Sequence, residues 1–220
     1  MQYFEKLEKG KFYHVYNRGI NSCNIFKESD NYEHFHRLYE KYIPKVADTY
    51  AWVLMRNHFH CLVYIKRKPA KVIKNGEMKE LSASQQFSNL FNSYVQAFNR
   101  RYGRHGGLFE RPFKRKLIQD TLYLKNLIIY IHQNPVNHKV CKDLLQYGWS
   151  SFIHYASSEL PGSCCQAAID LFKNKEIFFE AHKELIPPGI IEDEPTLIEK
   201  DSLQTLNEKQ DIFCLFVSFS

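Results

Sequence analysis

His58-Phe59-His60 sets two imidazoles on either side of one large apolar residue, within a run of β-formers from Leu54 to Val63. Side chains alternate faces along a strand, so His58 and His60 point the same way, roughly 7 Å apart. Two imidazoles at that spacing can share one metal ion. They equally suit two polar residues on a strand face, and a pair alone makes an incomplete site.

A second group is Tyr130-Ile131-His132-Gln133-Asn134-Pro135. On a helix, residues four apart share a face, so the Tyr130 phenol and the Asn134 amide project together. An amide oxygen suits a hard cation such as Mg²⁺ or Mn²⁺, and a phenol can serve as a nucleophile. The structural alternative packs Tyr130 beside Leu127 and uses Asn134 to finish the helix.

The third group runs from Arg100 to Lys116. It holds seven Lys/Arg and one acid, interleaved with Tyr102, Phe109 and Phe113. Basic groups contact phosphates and aromatic rings stack on unpaired bases. The competing reading is a solvated helix end and loop.

The elements that must position these groups are legible from periodicity. Lys11 to Gly19 reads as a first strand ending at a glycine turn. Ser29-Asp30 opens a helix whose apolar positions Phe35, Leu38, Tyr39, Tyr42 and Ile43 recur at helical spacing, and Pro44 ends it. Tyr50 to Met55 and His58 to Ile65 form an antiparallel hairpin across Arg56-Asn57. Lys66 to Glu80 reads as a polar, lysine-rich loop. Ser82 opens a second helix, with a stripe of Phe87, Leu90, Phe91, Tyr94, Val95 and Phe98, closed by Gly103. Phe113 to Ile118 is a fourth strand, put at an edge or bulge by Pro112. Asp120 or Thr121 caps a third helix, which Asn134-Pro135 ends. The order β-α-β-β-α-β-α specifies an α+β fold. It is a split βαβ antiparallel sheet of the ferredoxin or RRM type, with helices on one face and the third helix beside the sheet. Residues 1–156 are expected to form the main domain and 157–189 a helical extension, with one or two helices between Gln166 and Leu185. Residues 190–220 are expected to form an acidic, mobile tail; 190–211 hold seven acids against two lysines.

Composition narrows the partners. Of 220 residues, 44% are hydrophobic and 15% aromatic, enough for a packed core, and the formal net charge of +6 admits an anionic partner. The six cysteines show no C-x-x-C spacing. With no secretory leader evident at Met1 to Lys6, free thiols in a reducing cytoplasm are expected. No apolar run reaches the ~20 residues that span a bilayer.

Taken together these segments resemble the IS200-like, single-tyrosine HUH transposases, in the branch of REP-associated tyrosine transposases. The matching pieces are Tyr13 to Gly19, Trp52 to His60, Phe98 to Tyr102, Gly107 to Lys114, Tyr130 to Val136 and Tyr147 to Ser151. They occur in the family order over about residues 10–155, and the combination is far more specific than any single piece. The resemblance implies an antiparallel sheet bearing the HUH pair on a central strand and a tyrosine on a following helix. Carried over, His58, His60 and Asn134 are ligands of a divalent metal, Mg²⁺ or Mn²⁺, and Tyr130 is the nucleophile. Arg56 departs from the family, where proline is frequent, and should change the turn and not the metal site.

The implied activity is a metal-dependent single-stranded DNA endonuclease and strand transferase. It acts on hairpin or repeat DNA through a 5′-phosphotyrosine, as a monomer or homodimer. Arg18, Arg100, Arg101, Arg104, Arg111, Lys114 and Arg115 are the candidate DNA-gripping residues. His132 and His138 lie near the site in sequence without an assigned role, and no general base for Tyr130 is evident. Two other classes compete: a catalytically idle binder of DNA hairpins, and an RNA-binding module, since split βαβ sheets with aromatics also suit RNA.

Overall fold

The fold is taken from a computed structural model that describes residues 6–157, 163–186 and 191. Six strands and six α-helices are present among them. In chain order they are β1 (Phe12–Arg18), α1 (Ser29–Tyr42), β2 (Ala47–Met55), β3 (His58–Ile65), β4 (Lys71–Lys74), β5 (Glu77–Glu80), α2 (Ala83–Tyr102), β6 (Lys114–Ile118), α3 (Thr121–Asn137), α4 (Phe152–Ala156), α5 (Ser163–Leu171) and α6 (Lys175–Ala181). The main sheet has the order β2-β3-β1-β6, antiparallel throughout. The α+β class with an antiparallel sheet is therefore as the sequence led us to expect. Among the described residues, no helix is long and apolar enough to cross a membrane.

Alternation sorts the strands onto two faces. Tyr13, Val15, Leu54, Phe59, Cys61, Val63 and Ile65 meet α1 and α2 in an aromatic-rich layer around Phe35, Phe87, Phe91 and Tyr94. The other residues of the strands, including Ala51, Val53, Met55 and Leu62, meet α3, α4, α5 and α6. So α1 and α2 share one face as expected, whereas α3 lies across the opposite face and not beside the sheet. Its apolar residues explain this. Leu127, Ile128 and Ile131 are fully buried, and each such side chain contributes about 1.5–3 kcal/mol when removed from water. A helix at the sheet's edge would leave most of that area wet.

Local signals work where expected. Ser82 accepts from Gln85 N at the start of α2, and Gly103, at φ 58°, ends it. Asp120 accepts from Tyr123 N to start α3. β6 is an edge strand, as Pro112 suggested. Three expectations change. α1 begins after Glu28, with Ser29 already helical. The polar segment after Ile65 is a two-stranded hairpin, β4–β5, turning at Asn75 and Gly76, both with φ above zero. And α3 continues through Pro135 to Asn137. A proline in the last turn forfeits one intrahelical bond, and the His138 and Val140 amides still close on the Asn134 and Pro135 carbonyls. Where one or two helices were expected between Gln166 and Leu185 there are two, α5 and α6, the first starting at Ser163. They pack into the same apolar layer as α3. The expected acidic tail lies outside the described residues apart from Ile191.

The link after β1 holds the β2–β3 turn in place. Gly19 N donates to Asn57 O, and Ile25 and Phe26 N both donate to Arg56 O. A side chain at Gly19 would put its Cβ 2.0 Å from Cys23 O, a backbone atom. Gly19→Ala should therefore destabilise the fold by about 3 kcal/mol or more. A urea midpoint within error of wild type would contradict this packing.

Candidate active site

The site lies between β1, β3 and the inner face of α3. His58 and His60 are nearly buried on the α3 side of β3, at 7% and 2% exposure. His58 Nδ1 sits 2.6 Å from Asn57 Oδ1, a side chain fixed by the hairpin turn. An amide oxygen only accepts, so Nδ1 carries the proton and Nε2 presents a lone pair. Nε2 faces Asn134 Oδ1 at 3.0 Å. His60 Nδ1 lies 2.9 Å from His14 Nε2. The rings of His14, Tyr16 and His60 stack at 4.6 to 5.7 Å. Each of the two imidazoles is thus oriented through Nδ1 by a second polar group, the usual arrangement behind a metal-binding imidazole.

Helix α3 completes the cluster. The Tyr130 ring stands edge-on to His60 at 5.7 Å, one turn from Asn134. His138, one turn further, lies 5.1 Å from the His58 ring. Two acceptors 3.0 Å apart, His58 Nε2 and Asn134 Oδ1, repel unless a proton or cation lies between them. Asn134 Nδ2 is buried with no hydrogen-bond partner among the described residues. A cation would resolve the clash of lone pairs, and two imidazoles plus an amide oxygen form an acceptable donor set for Mg²⁺ or Mn²⁺. Among the described residues, no trio of His, Cys, Asp or Glu could hold a metal. The set depends on the Asn134 amide.

The cationic candidates divide. Strand register puts Arg18 opposite His58, on the site face, with its Nε buried and without a hydrogen-bond partner among the described residues. Lys114 pairs with Tyr16 across the strands and holds its ammonium 5.8 Å from that ring. It also bridges to Glu110 at 3.4 Å. Arg111 is exposed just before this strand. Arg100, Arg101 and Arg104 stand at the C-terminal end of α2, in the other layer. Arg101 is held by Glu28 and Asp30, both at 2.8 Å, and Arg104 lies over Phe98. Arg115 shares the Val15 face, pointing toward α2, where it donates to Ser84 Oγ and covers Phe113.

His132 points away from the site. Its Nδ1 is 2.9 Å from His182 Nε2 and its Nε2 is 2.8 Å from Ser151 Oγ. Beside it, Gln133 donates to the His182 and Glu184 carbonyls and accepts from Ile186 N. One side of α3 therefore carries the candidate chemistry and the other grips the segment after α6. Sequence reasoning gave no role to His14, Tyr16, Asn57 or Lys116, all at or near the site. The available signals were His14 and Tyr16 alternating in β1 as His58 and His60 do in β3, and the single-turn step from Asn134 to His138.

No family model matches the chain. A putative REP-associated tyrosine transposase of Haemophilus influenzae is 26% identical over 115 residues, covering 51% of this chain. Over that stretch the chain is similar to a REP-associated tyrosine transposase. The aligned part spans 63% of the Haemophilus protein's own length. Among solved structures, a REP-associated tyrosine transposase bound to a REP hairpin superposes with a TM-score of 0.52 and 18% identity. It covers 72% of this chain and 86% of that one. That likeness supports the fold. A bacterial tRNA(His) guanylyltransferase-like protein in complex with GTP reaches a TM-score of 0.39 at 12% identity, over 61% of this chain and 68% of that one.

Proposed function

We propose that this chain is a metal-dependent endonuclease and strand transferase for single-stranded DNA, acting on hairpin or repeat DNA through a 5′-phosphotyrosine. The observation that carries the reading is the meeting of Asn134 with His58, one helical turn from a tyrosine packed on His60. An idle binder of DNA or RNA has no need of that convergence. Residues 1–156 would form the catalytic unit and 157–189 an extension bracing its helix.

The residues have separable tasks. His58, His60 and Asn134 would hold a divalent cation, which when bound withdraws charge from a scissile phosphate and fixes its orientation. Asn57 and His14 keep the two imidazoles turned toward it. Arg18 and Lys114 would hold flanking phosphates on the same face. Tyr130 attacks in line: its phenolic oxygen forms the bond to phosphorus and the bond to the 3′-oxygen breaks. The proton lost by the phenol balances the one gained by the leaving 3′-hydroxyl. Attack by another 3′-hydroxyl reverses the step and joins strands, with no nucleotide cofactor consumed.

Labelled DNA tests this directly. With Mn²⁺ and a single-strand hairpin substrate, a label on the 3′ end should become covalently attached to the protein. A 5′ label should appear in free product, and chelation should stop both. No adduct with either label, or an adduct carrying the 5′ label, would refute the mechanism.

A further inference from the structure

The β4–β5 hairpin takes no part in the site above, yet its chemistry is distinctive. All eight of its strand residues are exposed. Ile73 and Met78 face each other across the ladder at 76% and 70% exposure. Isolated two-strand hairpins are marginal in water, so this one depends on its root. There Ala70 N donates to Lys45 O, Leu81 N donates to Ala70 O, and Glu80 pairs with Lys9. The Asn75-Gly76 turn supplies the positive φ values a tight hairpin needs.

Residues 66–80 hold six basic side chains and two acidic ones. Lys66 is paired with Asp48 and Lys79 with Glu77. Lys68, Lys71 and Lys74 have no ion pair among the described residues. An anchored ribbon with an apolar pair near its tip and an excess of exposed ammonium groups, of which Lys71 and Lys74 lie across the ladder from Glu80 and Glu77, suits neither the core nor bulk water. We infer that β4–β5 is a DNA-binding arm that enters a groove of a duplex stem, with Lys68, Lys71 and Lys74 on its phosphates and Ile73–Met78 against its bases. A two-stranded ribbon fits the major groove, where exposed apolar side chains can pack on the thymine methyl groups of base edges.

Placement supports one continuous ligand. The site is at the Arg18–His58 end of the sheet, and the arm springs from the end where Phe12 meets Tyr64. Those ends are about 20 Å apart, a distance that a stem of about six base pairs would span. Lys114 and Lys116 lie between them on the site face of β6, opposite Tyr16 and His14. This inference rests on the DNA reading above and extends it to a duplex.

Affinity for a DNA hairpin of that stem length, an unstructured strand of equal length and the RNA version of the hairpin tests the arm in the full chain. K68A/K71A/K74A should lower the slope of log affinity against log salt by about 2–3 on the DNA hairpin. I73S/M78S should weaken the DNA hairpin several-fold while leaving the slope and the unstructured strand unchanged. All five positions lie on the exposed arm, and unchanged melting curves would confirm an intact fold. Wild-type affinity and slope in both variants would overturn the inference. So would equal losses on the unstructured strand, or losses confined to RNA. Adduct formation through Tyr130 is read separately: if it fails while the arm effects hold, the nuclease reading falls and the arm remains.

Discussion

Tyr130→Phe should form no covalent adduct with single-stranded DNA while binding it about as tightly as the wild type. The change removes one oxygen and keeps the ring that stands edge-on to His60. Tyr130 is only half-buried, so little packing is lost. Asn134→Ala should act differently. It removes the amide oxygen facing His58 and leaves the nucleophile, so adduct formation should slow by on the order of 10²–10³-fold, the scale of losing one ligand of a charge-withdrawing cation. Added Mn²⁺ should partly restore it. A cation-binding titration by Mn²⁺ paramagnetic broadening reads the ligand role without any turnover. Tyr130→Phe should leave that titration unchanged, and Asn134→Ala should shift it to higher concentration. If Tyr130→Phe still forms the adduct, another nucleophile is at work. Tyr123 would be the first to test: it lies on the same helix, with a buried hydroxyl that has no hydrogen-bond partner among the described residues.

Much of this arrangement was legible because it is set by period. Alternation put His58 and His60 on one face, and helical spacing put Tyr130 and Asn134 on another. Neither period says that the two faces meet. That depends on α3 crossing the sheet, a consequence of Leu127, Ile128 and Ile131 needing burial together. The oriented role of His14 was hidden because it requires the β1–β3 register, which places Tyr16 beside His60 and makes the first strand part of the site. The arm was missed through its composition. Lysine density from Lys66 to Glu80 reads as a loop, yet Asn75-Gly76 between short alternating segments is a strong turn signal. Arg101 and Arg115 show the opposite limit: charge in a basic stretch gives no direction, and acidic or aromatic neighbours within the chain hold both.

Acid should loosen the protein between about pH 6.5 and 4, through a buried pair remote from the chemistry. His132 and His182 form a buried relay between Ser151 and the Phe178 carbonyl. With both rings neutral, Ser151 Oγ gives its one proton to His132 Nε2 at 2.8 Å in preference to Trp52 O at 3.2 Å, His132 Nδ1 donates to His182 Nε2, and His182 Nδ1 donates to Phe178 O. A further proton on His182 Nε2 would set its N–H against that of His132 Nδ1, and burial opposes a charge on either ring. Burial holds His132 well below its usual value, with the neighbouring His182 adding to the effect. Burial also lowers His182 from 6.5 to about 4, against an opposing contribution from the Phe178 carbonyl. Both rings are therefore neutral in the fold. As pH falls below 6.5 the unfolded chain takes up protons that the folded chain refuses, so stability is full above that value and declines below it. For His182 the loss reaches about 3 kcal/mol by pH 4. His36 and His154 are also lowered by burial and add to the decline, so the relay must be isolated by difference. His182→Gln should be less stable than wild type at pH 7.5, and its urea midpoint should fall less between pH 7.5 and 5. An equal fall in both proteins would exclude the relay as an acid-sensitive element. The same helix carries His132 and Gln133 on one side and Tyr130 and Asn134 on the other, so loss of the His182 contact releases a brace on the helix bearing the nucleophile. Adduct formation should therefore decline across this window in wild type more steeply than in His182→Gln, once each is scaled to its own rate at pH 7.5.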